Sequence, residues 1–181
     1  MITVRQEGNY KLVEQNGRVQ SIIGVEDTPL HTNGAWEQLI PNNNPKTVLI
    51  LGLGGGTVAK EILKRYPKTI ITGVDIDQEI LDVAQNECGE ERISYICEDC
   101  FSYVGRERKK YDYILVDVVK DNYIPLGVLD GVFFDQVTNL LSPTGVLCLR
   151  TYDVEKIATH SDFPMEIIRD GNDLIFKYKP K

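Results

Sequence analysis

An α/β fold built on a mainly parallel sheet is predicted by three observations. Strand-like and helix-like segments alternate from residue 46 onward, the strand-like runs are apolar throughout, and the first of them ends in a glycine-rich turn that opens a helix. Repeated strand–helix–strand units give parallel strands joined by right-handed crossovers. Continuous apolar runs suit strands covered on both faces. Together these describe a Rossmann-like sheet with helices on both sides, to which an antiparallel C-terminal hairpin and a small N-terminal β-hairpin are added. Residues 1–40 are read as an appendage of β-hairpin and short helix, and residues 41–181 as the Rossmann-like domain.

The elements follow in order. Residues 2–24 hold three short β-type runs, TVRQEG, YKLVEQ and RVQSII, with Asn16-Gly17 as a hairpin signal between the last two. A short helix is expected around Ala35–Ile40, and PNNNP at 41–45 stops regular structure. TVLILG (47–52) is a buried strand, and Thr57–Tyr66 is a helix with Val58, Ile62 and Leu63 at helical spacing. TIITGVD (69–75) is the next strand. Asp77 is a plausible N-cap for a helix over Gln78–Asn86. ISYIC (93–97), a short helix Cys100–Arg106 and YDYILVD (111–117) continue the alternation. Residues 126–141 read as one helix closed by Ser-Pro-Thr-Gly, and VLCLR (146–150) as a strand. MEIIRD and DLIFKYK, joined by Gly171-Asn172, form the closing hairpin.

Composition narrows the classes. The chain has 181 residues, 42% of them hydrophobic and 26% charged, which suits one globular domain. No apolar run approaches the ~20 residues of a membrane span, and MITVRQEGNYKL has no apolar signal core, so a cytoplasmic protein without membrane partners is expected. The net charge of −7 disfavours nucleic acid and favours a small cationic acceptor. Cys97 and Cys100 form a C-x-x-C without the second pair that structural zinc needs, so no metal is expected. The expectation is that Cys97 ends a buried strand and Cys100 lines a loop.

The chemistry belongs at the carboxyl ends of the strands, where open α/β sheets bind ligands. Those ends are Gly52-Leu53-Gly54-Gly55-Gly56-Thr57, Asp75, Glu98-Asp99 and Asp117. The glycines let a ligand approach backbone, and the helix that follows favours an anionic group. Asp75 stands where a carboxylate takes both hydroxyls of an adenosine ribose. Asp99 is placed to accept the adenine amino group, and Asp117 to lie beside the reacting atom. Thr57 stands where NAD-binding turns carry Gly or Ala, and only one nucleotide-binding half is present.

VLILGLGGGT, GVDIDQEIL, CEDCFSYV, KKYDYILVD and LSPTGVLCL resemble the spermidine synthase family, within the S-adenosylmethionine-dependent methyltransferase superfamily. QNGRVQ is similar to that family's hairpin, whose final Gln, here Gln20, contacts the nucleoside. The resemblance implies that Gly52, Gly54, Gly55 and Gly56 approach the donor's tail, Asp75 holds the ribose, and Asp99 with the Cys100 backbone meets adenine. It also implies that Asp117, and Asp121 with a one-residue shift, act on the acceptor amine. The implied cofactor is S-adenosylmethionine or its decarboxylated form.

The departures redirect the function. The synthase turn GGGDGG carries an Asp toward the decarboxylated donor's amine, and Gly55 is read as its counterpart here. Lys120 would repel a polyamine, and His31 alone remains of a Tyr-(His/Gln)-Glu segment. Three readings follow, in this order: methyl transfer to a small acceptor such as an amine, aminopropyl transfer in polyamine synthesis, and a non-catalytic nucleoside-binding pseudo-enzyme. An NAD-linked oxidoreductase ranks last. A homodimer is compatible with any of them. Trp36 is expected to be a helix anchor over the sheet edge, while Tyr123 borders the acceptor or lies exposed, and His160 is a solvated residue.

Overall fold

The structure, a computed structural model, describes residues 2–25, 28–29, 36–119, 125–151, 165–170 and 173–179. In chain order the elements are β1 (Ile2–Glu7), β2 (Tyr10–Gln15), β3 (Arg18–Gly24), α1 (Trp36–Leu39), β4 (Thr47–Leu51), α2 (Thr57–Arg65), β5 (Ile70–Asp75) and α3 (Gln78–Cys88). They continue with β6 (Ile93–Cys97), α4 (Cys100–Arg106), β7 (Tyr111–Val116), α5 (Gly131–Thr138), β8 (Leu141–Thr151), β9 (Met165–Asp170) and β10 (Asp173–Tyr178).

The large sheet has the order β6-β5-β4-β7-β8-β10-β9. β4 pairs in parallel with β5 and β7, and β6 and β8 extend the parallel part outward. β10 runs antiparallel to both β8 and β9, as the closing hairpin requires. The residues of β4 explain why both faces are covered. Val48 and Ile50 point into a core with Ala59, Ile62, Leu81 and Ala84 of α2 and α3. Leu49 and Leu51 point the other way, into a core with Tyr103, Val104, Phe133 and Val137 of α4 and α5. All four are at most 1% exposed, and each fully buried side chain of this kind stabilises by roughly 1.5–3 kcal/mol.

Several details differ from the sequence reading. The N-terminal unit is a three-stranded antiparallel sheet, because Gly8 (φ +58°) turns β1 back along β2. The helix expected over 126–141 is divided. Leu126–Leu129 form a short 3-10 turn, and Asp130 then caps α5 by accepting the Val132 N–H at 2.8 Å. Leu141 already belongs to β8, and the Ser-Pro-Thr-Gly segment is a bulge within that strand, since Tyr111 faces Leu141 while Tyr113 faces Val146. Cys97 lies exposed at the end of edge strand β6, and Cys100 is the buried first residue of α4. The Gly171-Asn172 turn lies outside the described residues. Among the described residues no helix is long and apolar enough to cross a membrane.

The small sheet is fastened to the large domain. Val13 and Ile23 bury themselves against Ile80 of α3. Lys11 pairs with Glu87 at 2.6 Å, Gln15 donates to Asp77 at 2.5 Å, and Lys60 donates to the Gly24 carbonyl at 2.8 Å.

One carboxylate carries an acid-sensitive part of this fold. Burial tends to raise the Glu107 pKa, but the N–H groups of Lys109 and Arg108 and the phenols of Tyr103 and Tyr111 outweigh it and hold it at about 2. A depressed pKa means that the contribution is present above the unfolded value, ordinarily 4.5, and is lost as pH falls toward about 2. Glu107→Gln is therefore expected to flatten the fall of the melting temperature across that window. Parallel melting curves for both proteins from about pH 6 downward, a starting point above the ordinary glutamate range, would show that Glu107 plays no such part.

Candidate functional site

β4 and β7 are neighbours at the centre of the sheet, and their following helices leave to opposite faces, which opens a crevice at their carboxyl ends. The cleft there has a volume of about 930 Å³. Gln20, Gly52, Gly54, Asp75, Asp99, Cys100 and Asp117 all line it, so seven of the expected site residues converge on one place. Asp121 lies outside the described residues, as do His31, Lys120, Tyr123 and His160.

The glycine turn divides its work. Gly52, Gly54 and Gly56 have φ of +86°, +55° and +88°, a region that only glycine enters without strain. A Cβ on Gly52 would stand 2.8 Å from the Asp117 carbonyl carbon, so this glycine lets the ends of β4 and β7 close together. At Gly54 a Cβ would meet only the Ser21 hydroxyl, at 3.4 Å, and Gly54 borders the cleft.

Gly55 and Gly56 stand behind Gly54 and do not line the cleft. A Cβ on Gly55 would lie 2.7 Å from that of Ser21 and 3.1 Å from Val13, underneath the turn. Its N–H donates to the Ser21 hydroxyl at 2.8 Å. Gly56 faces α3, where a Cβ would lie 2.6 Å from the Cys88 sulfur. A side chain at position 55 therefore meets β3 at once, whereas one at Gly54 has more room and stands beside the cleft. Thr57 completes the junction, since its hydroxyl accepts the Ile22 N–H and donates to the Ile22 carbonyl, both at 3.2 Å.

The acids differ in setting. Asp75 accepts the Gly54 N–H at 2.9 Å and the Asp77 N–H at 3.1 Å, one on each oxygen. Burial raises its pKa, against the lowering effect of those N–H donors. A carboxylate has about four acceptor sites, so two such bonds leave acceptor capacity toward the cleft. Asp77 and Asp99 are both N-caps, accepting from Glu79 at 2.9 Å and Ser102 at 3.0 Å. Both also line the cleft. Burial pushes the Cys100 thiol up to about 11, which keeps it protonated and unreactive. Trp36 packs on the core and borders the cleft as well.

Two cleft residues were not singled out from the sequence. Ser21 holds the turn from below, as described. Arg150, near the end of β8, places Nη1 3.2 Å and 3.4 Å from the two carboxylate oxygens of Asp117. The pair is largely buried, with side chains 17% and 14% exposed. Its position follows from register. Val116 faces Leu149 in parallel pairing, so the next residues, Asp117 and Arg150, emerge side by side.

The strand order, the glycine turn and the acids at successive strand ends define a Rossmann-like domain of the methyltransferase type. A solved structure with this architecture, a "probable spermidine synthase" from Corynebacterium glutamicum, superposes with a TM-score of 0.84 at 18% identity, over 98% of this chain and 76% of that one. The family model of the spermine/spermidine synthase domain matches residues 29–181, and the chain belongs to that family. A polyamine aminopropyltransferase of Vibrio vulnificus is 31% identical over 134 residues, which is 67% of this chain and 43% of the relative. A "probable polyamine aminopropyl transferase" of Bifidobacterium longum is 39% identical over 106 residues, 58% of this chain and 24% of the relative. The chain thus spans less than half the length of these two relatives.

Proposed function

We propose that this chain is an aminopropyltransferase, which moves the aminopropyl group of decarboxylated S-adenosylmethionine to an amine. The observation that carries the reading is the convergence of Gln20, Asp75, Asp99 and Asp117 on one cleft in a synthase-family chain. The cradle fits a nucleoside. Gly52 and Gly54 leave backbone open to it, Asp75 offers acceptor sites to a ribose, and Asp99 and the Cys100 backbone border the base. The sulfonium donor supplies an electrophilic carbon, whose bond to sulfur breaks as the nitrogen–carbon bond forms. Sulfur keeps the electron pair as a neutral thioether. Asp117 orients the acceptor amine and takes its proton, and the rest of the rate comes from alignment.

Methyl transfer from intact S-adenosylmethionine is the second reading. It is favoured by the absence of an acid at Gly54 and by the guanidinium of Arg150 in the cleft. The nucleoside product separates the two. Incubation with each donor and an amine acceptor should yield 5′-methylthioadenosine from the decarboxylated donor. Formation of S-adenosylhomocysteine instead would transfer the conclusion to methylation, and no product from either donor would reject both.

Turn geometry gives a paired test of donor choice. Gly54→Asp adds a carboxylate at the border of the cleft, where it should attract an amine and repel a donor carboxylate. Asp tolerates the left-handed region better than most residues. The ratio of affinities should move toward the decarboxylated donor by roughly tenfold or more, the worth of about 1.4 kcal/mol. Gly55→Asp should leave that ratio unchanged and cost about 1–3 kcal/mol of stability through overpacking against Ser21. A change of ratio in the second variant and none in the first would return the discriminating position to 55.

A further inference from the structure

We propose that Arg150 and Asp117 together form a receptor for an α-amino carboxylate, the carboxylate going to Arg150 and the ammonium to Asp117. The inference rests on the proposed donor and acceptor cleft, and names the head group that this part of it selects. Its starting point is the placement of a cation where a polyamine-binding site would gain most from acids alone. Arg150 approaches both oxygens of Asp117 and both residues border the cleft. The pair is largely buried, so its charges are weakly screened.

A purely cationic ligand that seeks Asp117 must share it with a guanidinium. A zwitterion meets a complementary pair instead, with opposite charges at the separation of its own. A guanidinium carries five N–H donors in a planar fork that matches carboxylates, so it can serve a second carboxylate while it touches Asp117. The opposite end of the cleft has a different balance. Asp75, Asp77, Glu98 and Asp99 all border it there, and Arg18 lines the cleft as well; among the described residues Arg150 is the cation that pairs with Asp117 at the strand ends of β7 and β8.

Two ligands of the cleft can bring this head group. Intact S-adenosylmethionine carries it on the donor, and an amino acid such as ornithine carries it on the acceptor. Each has a matched partner lacking only the carboxylate, namely decarboxylated S-adenosylmethionine and putrescine. Calorimetric titration of the native protein, Arg150→Met and Arg150→Lys against all four compounds therefore reads the carboxylate directly. The two amines are titrated in the presence of saturating methylthioadenosine.

In one of the two pairs, Arg150→Met should weaken the carboxylate-bearing member at least tenfold while its partner changes less than threefold. Arg150→Lys should restore part of the difference. A loss in the donor pair assigns the carboxylate to the donor, and a loss in the acceptor pair assigns it to the acceptor. Equal changes within both pairs, or none, would overturn the proposal and leave Arg150 as a support for Asp117. Should Arg150→Met melt too low to titrate, Asp117→Asn/Arg150→Met removes both charges together and must still abolish the native discrimination within a pair. Failure of the native protein to bind methylthioadenosine or either donor would reject the cleft as a nucleoside site, and this inference with it. Nucleoside binding without discrimination by carboxylate would reject the inference alone.

Discussion

Gly52→Val is expected to destabilise the protein severely. The residue sits at φ +86°, and its missing side chain is what allows the Asp117 carbonyl to come close. A non-glycine residue in the left-handed region costs about 1–2 kcal/mol, more for a branched one. Overpacking adds about 1–3 kcal/mol, and here the obstacle is backbone that cannot rotate away. Natural domains hold only about 5–15 kcal/mol in all, so a loss of about 3–5 kcal/mol is severe. Urea unfolding followed by circular dichroism would measure it. A midpoint within error of the native value would mean that β4 and β7 can separate freely at their ends, and the close junction beneath the cleft would have to be abandoned.

Asp75→Ala is expected to weaken every adenosyl ligand by tenfold to a hundredfold. In the proposed site, this carboxylate serves the ribose and also holds the Gly54 and Asp77 N–H groups that shape the turn. Hydrogen bonds to charged groups are worth about 1.5–3 kcal/mol each. Asp75→Asn, which keeps one acceptor oxygen, should fall between the native protein and the alanine variant. Stability should respond differently. Burial raises the Asp75 pKa, so the folded state binds its proton more readily than the unfolded state. The charged form therefore detracts from stability as pH rises past the ordinary aspartate range, and the neutral Asn variant is relieved of that penalty. Calorimetry with methylthioadenosine and thermal melting separate the two effects. Equal affinities for native and alanine proteins would remove Asp75 from the ligand site.

The alternation of strands and helices was legible because burial on both faces leaves an unbroken apolar run, as Val48 to Leu51 do. Asp75, Asp99 and Asp117 were legible for a related reason. Asp75 ends β5, Asp117 follows β7 and Asp99 lies two residues past β6, and parallel strands must end on the same edge of the sheet. The long helix over 126–141 was misread because its apolar residues continue across Asp130-Gly131. There an acid cap at a chain turn outweighs the periodicity. The glycine run gave no sign of which member borders the cleft, because the direction of each missing side chain depends on φ, and φ alternates in sign along the turn. Arg150 was overlooked as the polar end of VLCLR. Its meaning lies in the neighbouring strand, since only the pairing of β7 with β8 sets it against Asp117.

The docking of β3 under the glycine turn joins the fate of two sheets. Ser21 holds Gly55 from beneath while its neighbour Gln20 reaches the rim of the cleft. In the proposed site a ligand lodged between Gln20 and Asp99 leans on both sheets at once. By linkage, whatever strengthens the seating of the N-terminal strands pre-forms the cleft, and an occupied cleft slows the opening of those strands in return. The first twenty-five residues are then one jaw of a clasp, and, given the proposed site, their amide protection is a gauge of its occupancy.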